Sequence, residues 1–323
     1  MTRTAPGFAV LAGTFPGVDA IPAEQFLHRA ADAGYGALSF PTPAHLDPAQ
    51  SRERLAELGG LARDLGLELY FGVGTVGPAG DDEPVLAKIR ERLSQGLTAG
   101  CTSFLTFTET VFTGVFDDRR SQLDTVIRRL RALTPVLAEL GCRLDVKTHE
   151  DVSSHELLDV IRQVDSPLIG VCLDVANLVV RGEDPVRAAE LLAPHTAQAH
   201  LEDVLLPFTA RGAHRYLMPC GSGALDWTSI LRVLGACELR HIVLEQHQGD
   251  FEIPFFEASW IDEQGDLSTH DLSAIAAMAW RSEQILGDGT ATVRSPKRTR
   301  HWDEVTELFA QSRTFLEACL SLG

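Results

Sequence analysis

The sequence predicts a (β/α)8 barrel with an inserted loop after the last strand and an extra helix at the C-terminus. Three observations predict it. Eight short runs rich in Val, Ile, Leu and Phe are spaced along residues 7–247. Segments with helical spacing alternate with them, and such alternation builds parallel sheets. The runner-up, an open doubly wound sheet, lacks its glycine signatures: no GxGxxG follows the first run, and no GxxxxGK[ST] occurs.

The eight strand candidates are 7–13, 36–40, 67–74, 102–107, 142–148, 168–175, 197–201 and 241–247. Several are nearly continuous apolar runs, as strands covered on both faces should be. PAEQFLHRAADAG (22–34) is a helix stopped by Gly34. In 119–140, Leu123, Val126, Ile127, Leu130, Leu133, Leu137 and Leu140 form a helical stripe that Pro135 should kink or split. Ser153 and Glu156 form a capping box at the start of the next helix. Segments 184–193 and 227–236 complete the alternation. The barrel is expected over 1–287 as one domain. A linker follows at 288–302, then a helix at 303–323 packed on the barrel or a neighbouring subunit. The aromatic, acidic stretch 248–270 suits a cover for the barrel mouth, a subunit contact or simple self-packing.

A chain of 323 residues, 45% hydrophobic, can bury a large core. A net charge of −17 disfavours nucleic acid or an anionic membrane as partner. The N-terminus lacks a signal-peptide core, and no run approaches the ~20 apolar residues that span a bilayer. The six scattered cysteines form no CxxC and read as reduced thiols, so the expected location is cytoplasmic.

Active sites of such barrels form at the C-terminal ends of the strands. In LDVKTHED (144–151), Asp145, Lys147 and His149 share one parity. Strand six ends in Asp174 and Asn177, strand seven in His200, Glu202 and Asp203, strand eight in Glu245 and His247. A polar residue in an apolar strand is costly unless paired or bound, and four successive strands carry one at the same end. Asp174, His200 and Glu245 suit a divalent cation of the Mn²⁺, Mg²⁺, Co²⁺ or Zn²⁺ type. For any one of them alone, a structural hydrogen bond is the plainer reading.

Residues 140–250 resemble the xylose-isomerase-like TIM-barrel superfamily, the sugar phosphate isomerase/epimerase group. RLDVKTHED, GVCLDVAN, QAHLEDV, PCGSGALDW and IVLEQH carry the resemblance, while the first 140 residues match only in rhythm. The resemblance implies that Asp174, His200 and Glu245 are metal ligands, Mn²⁺ being the first choice. It places Asn177 after the strand-six ligand, Asp203 beside the histidine, and Gly221, Gly223 and Asp226 in the following loop. The family's first ligand is usually a glutamate, and this chain has Lys147 there. Lys147 is then a base beside a three-ligand metal, with its pKa lowered by the ion. Alternatively His149, Glu150 or His247 replaces the missing carboxylate; or the metal is gone and Lys147 is the catalyst, as a Schiff-base former; or Lys147 merely pairs with Asp174 or Asp145.

The implied activity is a metal-dependent sugar isomerase or epimerase working through an enediolate. The alternative is a lyase using the same intermediate for β-elimination, as a dehydratase or on a keto-sugar conjugate such as a C-glycoside. Lys147, His149, Glu245 and His247 are the expected acid–base groups; Asn177, Glu202 and Arg211 are expected to hold substrate. Arg211, His214 and Arg215 read equally as surface charges. The expected partners are a sugar or sugar derivative and further copies of the chain, or a hetero-oligomer. DNA-repair endonuclease action, known in the superfamily, is disfavoured by the acidic balance.

Overall fold

The structure is a computed structural model that describes residues 6–16, 21–110, 118–293 and 300–321. Eight parallel strands close into the expected barrel: β1 (Gly7–Leu11), β2 (Ala37–Phe40), β3 (Glu68–Thr75), β4 (Ser103–Phe107), β5 (Arg143–Lys147), β6 (Ile169–Leu173), β7 (Thr196–Leu201) and β10 (His241–Leu244). β10 pairs with β1 and β7 to close it. The strands are short because their neighbours in sequence take other work. β6 stops at Leu173 since Asp174 caps the next turn, its Oδ1 accepting from the Ala176 amide at 3.1 Å.

The outer ring holds α1 (Ala23–Asp32), α2 (Arg52–Asp64), α3 (Asp82–Thr98), α4 (Arg119–Leu140), α5 (Ser154–Val164), the short α6 (Val175–Leu178), α7 (Pro185–Leu192) and α8 (Trp227–Leu234). Pro135 does not split α4. The residue faces solvent, so the carbonyl it leaves unpaired meets water. Gly141 ends α4 at φ 66°, a left-handed cap that turns the chain straight into β5. Ser153 and Glu156 form the expected capping box on α5.

The segment after β7 differs from expectation. β8 (Asp203–Leu205), β9 (Ala213–Met218) and β11 (Asp250–Ile253) form a three-stranded antiparallel sheet over the barrel mouth, where loops were expected. α9 (Ala258–Gln264) and α10 (Thr269–Gly287) follow. The C-terminal helix α11 (Trp302–Ser321) lies on the barrel. Trp302 and Phe309 pack on Phe15, Phe315 on Trp227, and Arg313 donates to the carbonyls of Ala33 and Gly34. α11 therefore sits between α8 and α1, the eighth place in the ring. α10 instead packs beside the small sheet, where Ser282 accepts from the Leu206 amide. All six cysteines are unpaired, five of them buried. Among the described residues, no helix is long and apolar enough to cross a membrane.

Candidate active site

Side chains alternate sides along a strand, so one parity of each barrel strand points inward. On β5 and β7 that parity gives Asp145 then Lys147, and Gln198 then His200; beyond β10 it continues to Glu245. The lower members close on each other. Asp145 accepts from Arg143 at 2.7 Å and from Gln198 at 2.8 Å, so it belongs to the barrel floor and not to a site with Lys147. The upper members line a cavity of about 450 Å³ at the strands' C-terminal ends. Lys147, His149, Glu150, Asn177, His200, Glu202, Glu245 and His247, from the ends of strands five to eight of the barrel, form one side of it. Leu11, Phe40, Pro41, Leu105 and Phe107 form the other, and Gly249 and Phe251 of the inserted segment reach its rim.

Lys147 is the centre. Its ammonium donates to Glu245 Oε1 and Oε2 at 2.7 and 2.8 Å and lies 3.1 Å from Asp174 Oδ2, with the side chain almost fully buried. Burial pushes its pKa down, but Glu245 and then Asp174 outweigh burial and hold it above the ordinary lysine range. The expected neutral amine was tied to an ion beside it; with these carboxylates alone as neighbours, Lys147 is held as the ammonium. Glu245 is held well below the usual carboxylate range, burial being overcome by Lys147, His247 and His200. Asp174 is pushed up to about 7 by burial, partly offset by Lys147. Its Oδ2 also accepts from Asn177 at 3.0 Å. Ionised Glu245 can only accept, so the His200 Nδ1 that contacts it carries the proton. Burial lowers the His200 pKa, which leaves a neutral ring whose Nε2 is buried without a hydrogen-bond partner.

His247 sits at the rim, 45% exposed, with Nδ1 3.0 Å from both Glu202 Oε1 and Glu245 Oε2. Those carboxylates, Glu245 first, outweigh burial and raise its pKa well above the ordinary value. Glu202 thus positions His247, also accepting its amide at 3.0 Å, and lines the cavity beside it. His149 lies just past the end of β5, 3.1 Å from Asp151 and from Glu150; the hydrogen bond to Asp151 overcomes burial and raises its pKa. Asn177 lines the cavity with its amide already shared among Asp174, Thr148 and Arg215.

Two expectations fail here. Arg211 is not at the site: it is half-exposed and ion-paired with Glu252 and Glu257, joining β11 and the segment beyond to its own loop. Asp203 does not stand beside His200. It has the outward parity, and its carboxylate accepts from the amides of Gly221, Gly223 and Leu225 and from the Trp227 indole. A side chain at Gly223 would collide with that carboxylate. Conversely, Arg215 is fully buried rather than a surface charge. It donates to Asn177 at 3.0 Å and to Glu150 at 2.9 Å, under the Phe251 ring. The signal was the alternation of AHRYLM (213–218), legible only once that stretch is read as a strand.

Asp174, His200 and Glu245 do not fit a divalent ion as they stand, because a charged lysine is seated on the oxygens of Asp174 and Glu245. A dication roughly 4 Å from that ammonium would be repelled by about 8 kcal/mol at an effective dielectric near 20. A different trio, Glu202, Glu245 and His247, brings its ligand atoms within 4.8 Å of one another and has the composition of a divalent-cation site.

The geometry defines a strand-end site in a closed parallel barrel, and the comparisons agree on its class. Residues 27–259 match the model of the xylose isomerase-like TIM barrel family, well over half of the chain, and the chain belongs to that family. A 3-oxo-isoapionate decarboxylase of Pectobacterium atrosepticum is 29% identical over 177 residues, covering 55% of this chain and 59% of the relative. The uncharacterised protein YihM of Escherichia coli is 22% identical over 179 residues, covering 55% and 51%. The match thus spans only a little over half the length of either relative. Among solved structures, a Clostridium cellulolyticum D-psicose 3-epimerase crystallised with D-tagatose superposes with a TM-score of 0.63 at 16% identity, over 87% of this chain and 99% of that one. A probable 3-DHS dehydratase from Bacillus anthracis gives 0.59 at 14%, over 84% and 97%. These likenesses establish the fold alone.

Proposed function

We propose that this barrel is a lyase acting on a keto-sugar acid, and that it removes carbon dioxide by way of an enediolate. One observation carries the reading: the carboxylate of Glu245 in the cavity is seated on the Lys147 ammonium and is not free as a base. Glu245 is the residue a symmetric epimerase would use, yet both its oxygens accept from Lys147. Lys147 stands where the second glutamate of that pair would be. His247 and His149 are both held toward the protonated form by carboxylates.

Decarboxylation of a 3-oxo acid needs what is present. The bond from the carboxylate carbon to the α-carbon breaks. Its electron pair moves to the carbonyl oxygen, carbon dioxide leaves, and the α-carbon takes a proton from an imidazolium. The Lys147 ammonium, whose protons face Glu245 and Asp174, offers the developing oxyanion its positive charge. The hydrocarbon side of the cavity strips water from the departing carboxylate, which favours its conversion to a neutral gas. The decarboxylase named among the relatives supports the same class.

The test is incubation with 3-oxo aldonic acids in deuterated buffer. Carbon dioxide release, with one deuterium delivered to the α-carbon, is the expected result. A second reading is a metal-dependent isomerase or epimerase, favoured by the Glu202–Glu245–His247 cluster and the unpartnered His200 Nε2. A bound Mn²⁺, or failing that Mg²⁺, Co²⁺ or Zn²⁺, would supply Lewis-acid polarisation of the carbonyl. Epimerisation of a ketose without gas release would select that reading and reject the lyase.

A further inference from the structure

We infer that the Lys147 ammonium is the resident cation of this barrel. It completes the Asp174–Glu245 set, so no divalent ion is held there. The argument is one of valence and rigidity, and it does not depend on which reaction follows.

An ammonium has three protons. Three carboxylate oxygens receive them, two from Glu245 and one from Asp174, at 2.7, 2.8 and 3.1 Å. Most of the remaining capacity of those carboxylates is also used. Asp174 Oδ1 accepts from the Ala176 amide and Oδ2 from Asn177, while Glu245 receives the imidazoles of His200 and His247. A metal ion would have to displace the Lys147 ammonium from the three oxygens it contacts.

The cluster also cannot easily open. The Thr148 hydroxyl donates to the Asp174 carbonyl at 2.9 Å and accepts from the Asp174 amide at 2.6 Å, locking the end of β5 to the end of β6. Lys147 itself pairs in register with Cys172. The ammonium is thus built into the wall rather than swung in from solvent. The sequence resemblance of RLDVKTHED implies a ligating glutamate at this position. Exchange of that glutamate for lysine removes one ligand and inserts one positive charge, so ligand count and electrostatics change in the same direction.

The test uses the full chain and Mn²⁺ alone, read by calorimetric titration and by elemental analysis after dialysis. The wild type is expected to hold no stoichiometric ion, and its melting temperature should not respond to chelator. Lys147→Glu is expected to take up one ion per chain and bind Mn²⁺ at least about 100-fold tighter than the wild type. A wild type that retains one ion per chain, loses it in Asp174→Asn and keeps it in Glu202→Gln, overturns the inference; an ion lost only in Glu202→Gln sits on the other cluster and leaves the inference standing. A Lys147→Glu protein, folded by circular dichroism, that binds no tighter than wild type also overturns it. Should that variant not fold, Lys147→His is read in the same way. These readouts involve no turnover, so the lyase reading can fail while this inference stands, and the reverse.

Discussion

The cavity has two unlike walls. Strands β1 to β4 give it Leu11, Phe40, Pro41, Leu105 and Phe107, while β5 to β10 give it Lys147, His149, Asn177, His200, Glu202, Glu245 and His247. One wall excludes water and the other concentrates charge. The contrast explains how buried charges become useful: low polarity on one side strengthens every interaction offered by the other. It also assigns different penalties to damage. Loss on the charged wall should remove chemistry and stability together; loss on the hydrocarbon wall should mainly misplace the substrate.

The largest expected effect is at Lys147. Lys147→Met should lower kcat/KM at least about 1000-fold, the scale of removing preorganised electrostatic stabilisation of an oxyanion. It should also destabilise the fold by about 3–5 kcal/mol, because Glu245 and Asp174 are left as uncompensated buried carboxylates. Steady-state kinetics and urea unfolding read the two. Activity within tenfold of wild type would mean that the charged wall is a structural network.

The charged wall was also the legible one. A polar residue at the end of an apolar run stands out, and the period of two aligns Lys147, His200 and Glu245 with no knowledge of the fold. The hydrocarbon wall is chemically identical to core, so nothing in the sequence separates Phe107 from Phe104. The same period of two, applied one step further, would have turned Asp203 away from His200. Arg215 and the small sheet were missed because β9 alternates weakly and carries an arginine at a buried position. The place of α11 in the ring is decided by Phe15, Phe26 and Trp227 far away in sequence, which no local pattern reveals.

Phe107 is the next test, since its ring meets the His149 ring edge-on at 5.4 Å and so joins the walls. Phe107→Ala should cost about 10- to 100-fold in kcat/KM by releasing His149 from its position, with Phe107→Leu retaining most of the activity. Equal loss in both would mean that the aromatic contact itself is required.

Asp151 joins the walls through the loops that follow β4 and β5. Its carboxylate accepts from the Thr108 hydroxyl at 2.6 Å and the Thr110 amide at 2.7 Å, and it faces His149 at 3.1 Å. Burial alone would raise its pKa, but His149 and the threonines pull it to about 2 from the ordinary 3.8. A lowered folded-state value stabilises the fold above the unfolded pKa, and that stability is lost as pH falls through the folded one. Asp151→Asn should therefore cost about 2 kcal/mol at pH 7. The gap to wild type should close as the pH drops from 4 towards 2. A gap independent of pH in urea unfolding would assign the cost to geometry instead of charge.

The smallest effect is expected at Arg211, which lies outside both walls. Its ion pairs with Glu252 and Glu257 are half-exposed, and such pairs contribute roughly 0–1 kcal/mol because water and salt screen them. Arg211→Ala should leave kcat and KM within about twofold of wild type, with at most that small loss of stability, shrinking further in high salt. The contrast with Arg215, four residues on and fully buried against Asn177 and Glu150, sharpens the point. Arg215→Ala strands Glu150 and releases Asn177 beneath the charged wall, so it should impair catalysis where Arg211→Ala does not. A rise in KM confined to Arg211→Ala would show that the substrate reaches beyond the cavity to the outer edge of the small sheet, and the boundary drawn here between wall and rim would have to move outward.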